Sequence, residues 1–159
     1  MTDLASFLRA RYAERRAIAE GAARGGAGSW TQVDPDRKDG WIEDEAGNTV
    51  IFDEGSPTGE QAHHIATNDP VHVITDIDAK LALLDDLLAE RHNVIEDCWY
   101  TCAAATEERD GGESCDEDRQ GGPCDCGRDA RVNRRLRLLA RPFAGHPEFQ
   151  DTWASDTPR

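Results

Sequence analysis

Leu, Ile, Val and Phe cluster mainly in 4–18, 42–52, 65–95 and 132–149, and none of them occurs between Ala103 and Arg131. In the first cluster Leu4, Phe7, Leu8, Tyr12 and Ile18 recur near a 3.6-residue period. Asp3 is placed to cap, and Arg11, Arg15 and Arg16 turn outward, so an amphipathic helix is predicted within 1–20. The glycines of 21–29 lower helix propensity and mark a linker. From Trp30 the pattern changes. Trp30-Thr31-Gln32-Val33 is β-prone, and Trp41-Ile42 is separated from Thr49-Val50-Ile51-Phe52 by the turn-rich Ala46-Gly47-Asn48. Residues 30–56 therefore read as a small hairpin or three-stranded meander whose tryptophans cap its core.

A short helix at Gln61 to Asn68 gives way to Asp69-Pro70, where Asp caps and Pro fits the first turn of another helix. Ile74, Ile77, Leu81, Leu84, Leu88, Ile95, Cys98 and Cys102 then follow alternating 3- and 4-residue steps, interrupted at Arg91. This seam predicts a long central helix within 60–103, packed either on the helices at 4–18 and 131–141 or on a second copy of the chain. Its other faces carry Asp76, Asp78, Asp85, Asp86 and Glu90. A last helix, Arg128 to Arg141, turns Val132, Leu136 and Leu139 to one side and stops before Pro142; Phe143, Phe149 and Trp153 form a tail that folds back. The expected class is α+β, mainly helical, in one compact domain: N-terminal helix, meander, central helix, Cys-rich loop at 104–127, and C-terminal helix with tail at 128–159.

Composition sharpens this picture. A chain of 159 residues suits one modest core, and Leu, Ile, Val and Phe make up only about 17% of it, so burial is patchy. Thirty-two acidic against 18 basic residues give a net charge of −14. That charge disfavours nonspecific attraction to nucleic acid or an anionic membrane and suits basic partners. No stretch has the apolar length of a membrane span or the layout of a secretory leader, so a cytoplasmic protein is expected.

All five cysteines, Cys98, Cys102, Cys115, Cys124 and Cys126, lie within 29 residues, and the last three fall in the stretch that burial cannot order. An odd number of thiols without a leader is a poor disulfide framework. Zinc takes four thiolate or imidazole ligands in a tetrahedron and can order such a segment. The expected ligands are Cys102, Cys115, Cys124 and Cys126, with Cys98, one helical turn earlier, and His92 as alternates. Four thiolates leave no open coordination position, which makes the site structural. Buried reduced cysteines on the helical seam, or a disulfide formed by oxidation, are the competing readings. The CxxC pair of a thiol-redox enzyme is absent.

Catalytic constellations are sparse. His63, His64 and His72 cluster near Asp69 without an HExxH pattern, and neither phosphate-binding glycine motif occurs. No nucleophile, base and oxyanion donor can be assembled, so a non-enzymatic protein is expected. Arg128, Arg131, Arg134, Arg135, Arg137 and Arg141 make the last helix basic. They either pair with acidic faces of the central helix or reach phosphate.

The runs His64-Ile65-Ala66 with Asp69-Pro70, Cys124-Asp125-Cys126-Gly127-Arg128-Asp129-Ala130-Arg131-Val132, Leu136-Arg137-Leu138-Leu139-Ala140 and Pro142-Phe143-Ala144-Gly145-His146-Pro147-Glu148-Phe149 with Trp153 resemble a domain-of-unknown-function family of small proteins encoded by actinobacteria and their phages. The resemblance implies context and no mechanism. The expected function is that of a small non-enzymatic zinc-binding accessory protein, phage- or mobile-element-associated, acting by binding a partner protein. A nucleic-acid-binding regulator with a zinc knuckle beside the arginine helix, and an acidic mimic of DNA, are the rival expectations.

Overall fold

The computed structural model describes residues 3–23, 25, 27–34, 41–51, 57–94, 102, 105 and 126–154. In chain order the elements are α1 (Leu4–Ala22), β1 (Trp30–Val33), β2 (Trp41–Asp44), β3 (Thr49–Ile51), α2 (Gly59–Thr67), α3 (Pro70–Ala89), α4 (Arg128–Ala140), a 3-10 turn (Arg141–Phe143) and α5 (Asp151–Ala154). This is the mainly helical α+β class that the sequence predicts. The chain divides into two compact units, Arg9–Leu81 on the one hand and Met1–Leu8 with Ala82–Arg159 on the other.

In the unit Arg9–Leu81, the strands form an antiparallel meander in the order β1-β2-β3, with Trp30 opposite Asp44 and Val33 opposite Trp41. The turn into β3 is built by Asp44, whose carboxylate accepts the backbone N–H groups of Ala46 at 3.0 Å and Asn48 at 2.8 Å. Gly47 supplies the positive φ of 77° that this tight turn requires. Ile42 is fully buried, whereas Trp41 is 38% exposed. The expectation that both tryptophans cap the sheet's core therefore fails at Trp41. Helix α2 begins with a reciprocal capping box: Thr58 Oγ1 accepts from the Gln61 N–H, and Gln61 Oε1 accepts from the Thr58 N–H at 2.9 Å.

Asp69 ties this unit together. Its carboxylate, 1% exposed as a residue, accepts the N–H of His72 at 2.8 Å and that of Trp30 at 3.1 Å, so one side chain caps α3 and holds the first strand. His72 Nδ1 lies 2.8 Å from the same carboxylate. Burial pushes the Asp69 carboxyl up, but the bonds from His72 and Trp30 outweigh it and hold the group below the usual carboxylate range. Nearby, the Val71 N–H donates to the Gly28 carbonyl at 3.3 Å, and a Cβ on Gly28 would come within 3.2 Å of the Val71 side chain. Residues 27–29, expected as part of a linker, are thus packed against the start of α3.

Helix phase explains two departures on α1. At 3.6 residues per turn, Arg11 stands two turns beyond Leu4 and shares its stripe. It is buried, with Glu14 as its partner at 2.9 Å, and does not turn outward. Ala19 stands two turns beyond Tyr12 and is buried, which leaves Ile18 72% exposed. Arg16 pairs with Asp78 of α3.

In the unit Met1–Leu8 with Ala82–Arg159, Phe7 sits among the aromatic rings of the tail, 6.2 Å from Phe143, 6.0 Å from Phe149 and 4.9 Å from Trp153 between centroids. The tail folds back as expected, and α4 buries Val132, Leu136 and Ala140. Helix α3 ends at Ala89 rather than near 103; the chain leaves the helix beside Arg91, where the seam was interrupted. Leu84 is fully buried, but its companion is Leu87 at 3% exposure, while Leu88 is 38% exposed. These two leucines flank the Leu84 stripe, and only the Leu87 side is covered.

Leu84→Ala should cost about 2–5 kcal/mol in urea unfolding, whereas Leu88→Ala should stay within about 0.5 kcal/mol of wild type; equal losses would mean that both flanks are covered. A second outcome concerns acid. Asp69 is held below its unfolded value of about 3.9, so its contribution is complete above that pH and disappears as pH falls through the lower folded value. Asp69→Asn should flatten the acid limb of a stability–pH profile.

Candidate metal centre

The site is assembled where α3 ends and α4 begins. The open carbonyls at the end of α3 need donors, and Arg128 supplies them: Nε donates to the Glu90 carbonyl at 2.7 Å and Nη2 to that of Leu88 at 3.1 Å. The Glu90 carboxylate meets Arg131 at 2.8 Å and Arg135 at 3.2 Å. Hydrogen bonding from Arg131, foremost, holds Glu90 below the usual carboxylate range. The fork of Arg128, the Glu90 carboxylate and the arginines one turn apart on α4 thus fasten one helix end to the other.

His92 lies three residues past the end of α3, and Cys126 lies two residues before the start of α4. Gly127, at φ 73°, takes the left-handed conformation that turns the chain into the helix. Cys102 is placed by its own backbone, whose N–H donates to the Asn93 carbonyl at 2.9 Å. The result is a cluster of His92, Cys102 and Cys126 whose ligating atoms all lie within 4.8 Å of one another. His92 Nδ1 is 3.5 Å from Cys102 Sγ and 3.6 Å from Cys126 Sγ.

Those separations can be tested against a metal. Zinc–sulfur bonds of about 2.3 Å and zinc–nitrogen bonds of about 2.0–2.1 Å at a tetrahedral angle place nitrogen and sulfur about 3.5–3.6 Å apart. The two observed nitrogen–sulfur edges match, and the sulfur–sulfur edge lies within 4.8 Å, so the three side chains are compatible with one face of a zinc tetrahedron. Burial pushes the Cys126 thiol up, but N–H donors of Asn93 and Arg128, with the His92 ring and Cys102 alongside, bring it down to about 6. A thiolate at neutral pH loses little to deprotonation when it takes a metal. Two sulfurs and an imidazole suit zinc and similar borderline ions, not the hard, oxygen-seeking Ca²⁺ or Mg²⁺.

Residues 1–155 match the family described as "Family of unknown function (DUF6221)". The chain belongs to that family. No curated protein and no solved structure matches it. The matched span of this DUF6221 member takes in the whole cluster.

Of the ligands expected from the sequence, the structure brings together Cys102 and Cys126 and adds the alternate His92. Cys98, Cys115 and Cys124 lie outside the described residues. What the sequence reading missed is Asp129, 3.7 Å from His92 Nε2, and the fastening by Arg128. Asp129 stands three residues after Cys126 in the first turn of α4, but nothing in its spacing marks a carboxylate aimed at a histidine across the chain. Of the other histidines, His72 serves the cap of α3 and His146 serves a turn, with its Nδ1 accepting the Glu148 N–H at 3.1 Å. Among the described residues no helix is long and apolar enough to cross a membrane.

Gly127→Ala should destabilise the metal-free protein by about 1–2 kcal/mol, because a side chain in the left-handed region is strained. A thermal melt in the presence of chelator measures it, and an unchanged melting temperature would show that the turn relaxes.

Proposed function

We propose that this is a small, non-enzymatic, zinc-binding accessory protein that acts by binding another protein. The observation that carries the proposal is the convergence of His92 Nδ1 with the sulfurs of Cys102 and Cys126 at separations matching a zinc tetrahedron. The role of the metal follows from composition. The stretch 103–131 contains no large aliphatic or aromatic residue, so metal–ligand bonds replace the apolar burial that would otherwise order it. A fourth ligand drawn from Cys115 or Cys124, as the sequence suggests, closes the coordination shell and makes the zinc structural.

A protein partner is favoured over nucleic acid by charge. The net charge of −14 repels phosphate, and the arginines best placed to read it are engaged at home, Arg131 and Arg135 by Glu90 and Arg128 by the carbonyls of α3. Leu83 and Leu138 are exposed at 47% and 44% and offer apolar contact to a partner whose basic groups complement the acidic surface. The phage or mobile-element setting rests on the sequence resemblance alone.

The test is elemental analysis of protein purified under reducing conditions without added metal. Near-equimolar zinc is expected, with a lower melting temperature after chelation that zinc restores. Metal-free protein whose melting and hydrogen exchange ignore both chelator and added zinc would refute the proposal.

A further inference from the structure

The His92 ring has two different neighbours on its two nitrogens. Nδ1 faces the sulfurs of Cys102 and Cys126, at 3.5 and 3.6 Å, while Nε2 faces Asp129 Oδ1 at 3.7 Å. Asp129 Oδ1 also accepts from Arg128 Nη1 at 2.8 Å, and Arg128 is fixed by the Glu90 and Leu88 carbonyls. From this arrangement we infer that His92 ligates a borderline-soft divalent cation through Nδ1, and that Asp129, steered by Arg128, is the carboxylate that positions the ring from Nε2.

The argument is one of tautomers. A neutral imidazole that ligates through Nδ1 must carry its proton on Nε2. That proton then faces Asp129, whose Oδ1 lies 3.7 Å from Nε2, a carboxylate that would fix ring orientation and raise the basicity of the ligating nitrogen. Because Asp129 is held by the guanidinium that caps α3, metal affinity and the fastening of α3 to α4 are coupled. A change at the Arg128–Asp129 pair alters how well the ion is held without removing a ligand. This inference rests on the proposed metal site and adds its ligand atom and its outer carboxylate.

Titrating the reduced full-length chain with Co²⁺ tests it. Wild type should take up one cobalt with the visible d–d bands and thiolate charge transfer of a tetrahedral sulfur–nitrogen site. Asp129→Asn should keep that stoichiometry and spectrum while weakening affinity by about 10–100-fold. His92→Ala should lose affinity and shift the d–d bands, and His92→Cys should restore binding with stronger charge transfer from the added thiolate. Unchanged affinity in Asp129→Asn, or unchanged affinity and bands in His92→Ala, would overturn the inference while leaving a metal site of other composition standing. A wild-type chain that takes up neither cobalt nor zinc would defeat the metal reading itself. Long-range ¹H–¹⁵N correlation on the zinc-loaded wild type gives a measurement free of any folding defect in the variants: His92 protonated at Nε2 supports the inference, and protonated at Nδ1 overturns it.

Discussion

Glu90 receives Arg131 and Arg135 while Arg128 fills the open carbonyls of α3, and the meeting of His92 with Cys126 depends on this fastening. His92 lies two residues beyond Glu90, and Cys126 lies two residues before Arg128. If the helix ends separated, imidazole and thiol would separate with them. Each exposed ion pair is worth little alone, because solvent and salt screen it. Here the arginines share one carboxylate and also satisfy backbone acceptors, so the junction rests on hydrogen bonds that a helix terminus requires in any case.

Composition supports the proposal that this junction holds a metal. A chain with net charge −14 and about a sixth of its residues in the large aliphatic and Phe class has little apolar surface to spend on its Cys-rich stretch. A metal contributes folding free energy through a few bonds, without needing buried area, and its ligands need only the local geometry that the ends of two helices provide. The acidic character remains available outside the site. Asp69 shows the opposite economy: a single buried carboxylate, stabilised by two backbone N–H groups and a histidine ring, holds a strand against a helix start.

Local signals were the legible ones. Asp69-Pro70 marks the start of α3, Pro142 marks the end of α4, and the turn-rich Ala46-Gly47-Asn48 separates β2 from β3, because caps, prolines and turns act through their own backbone. Phase errors account for Arg11, Ile18 and Leu88, where the side of a helix that is covered depends on neighbours that periodicity does not name. The apolar spacing continued by Cys98 and Cys102 predicts an α3 that runs too far, because the carbonyls of Leu88 and Glu90 are taken by an arginine far away in sequence. The site shows the same division. Thiol clustering points to Cys102 and Cys126, with His92 among the alternates, but Asp129 approaches His92 through a contact that only folding creates.

The central claim is that His92, Cys102 and Cys126 share one zinc ion at the junction of α3 and α4. X-ray absorption at the zinc edge of the purified, reduced protein tests it most directly. The account predicts a mixed shell, with sulfur at about 2.3 Å and imidazole nitrogen at about 2.0–2.1 Å; a shell of oxygen and nitrogen without sulfur, or protein that holds no zinc, would contradict it.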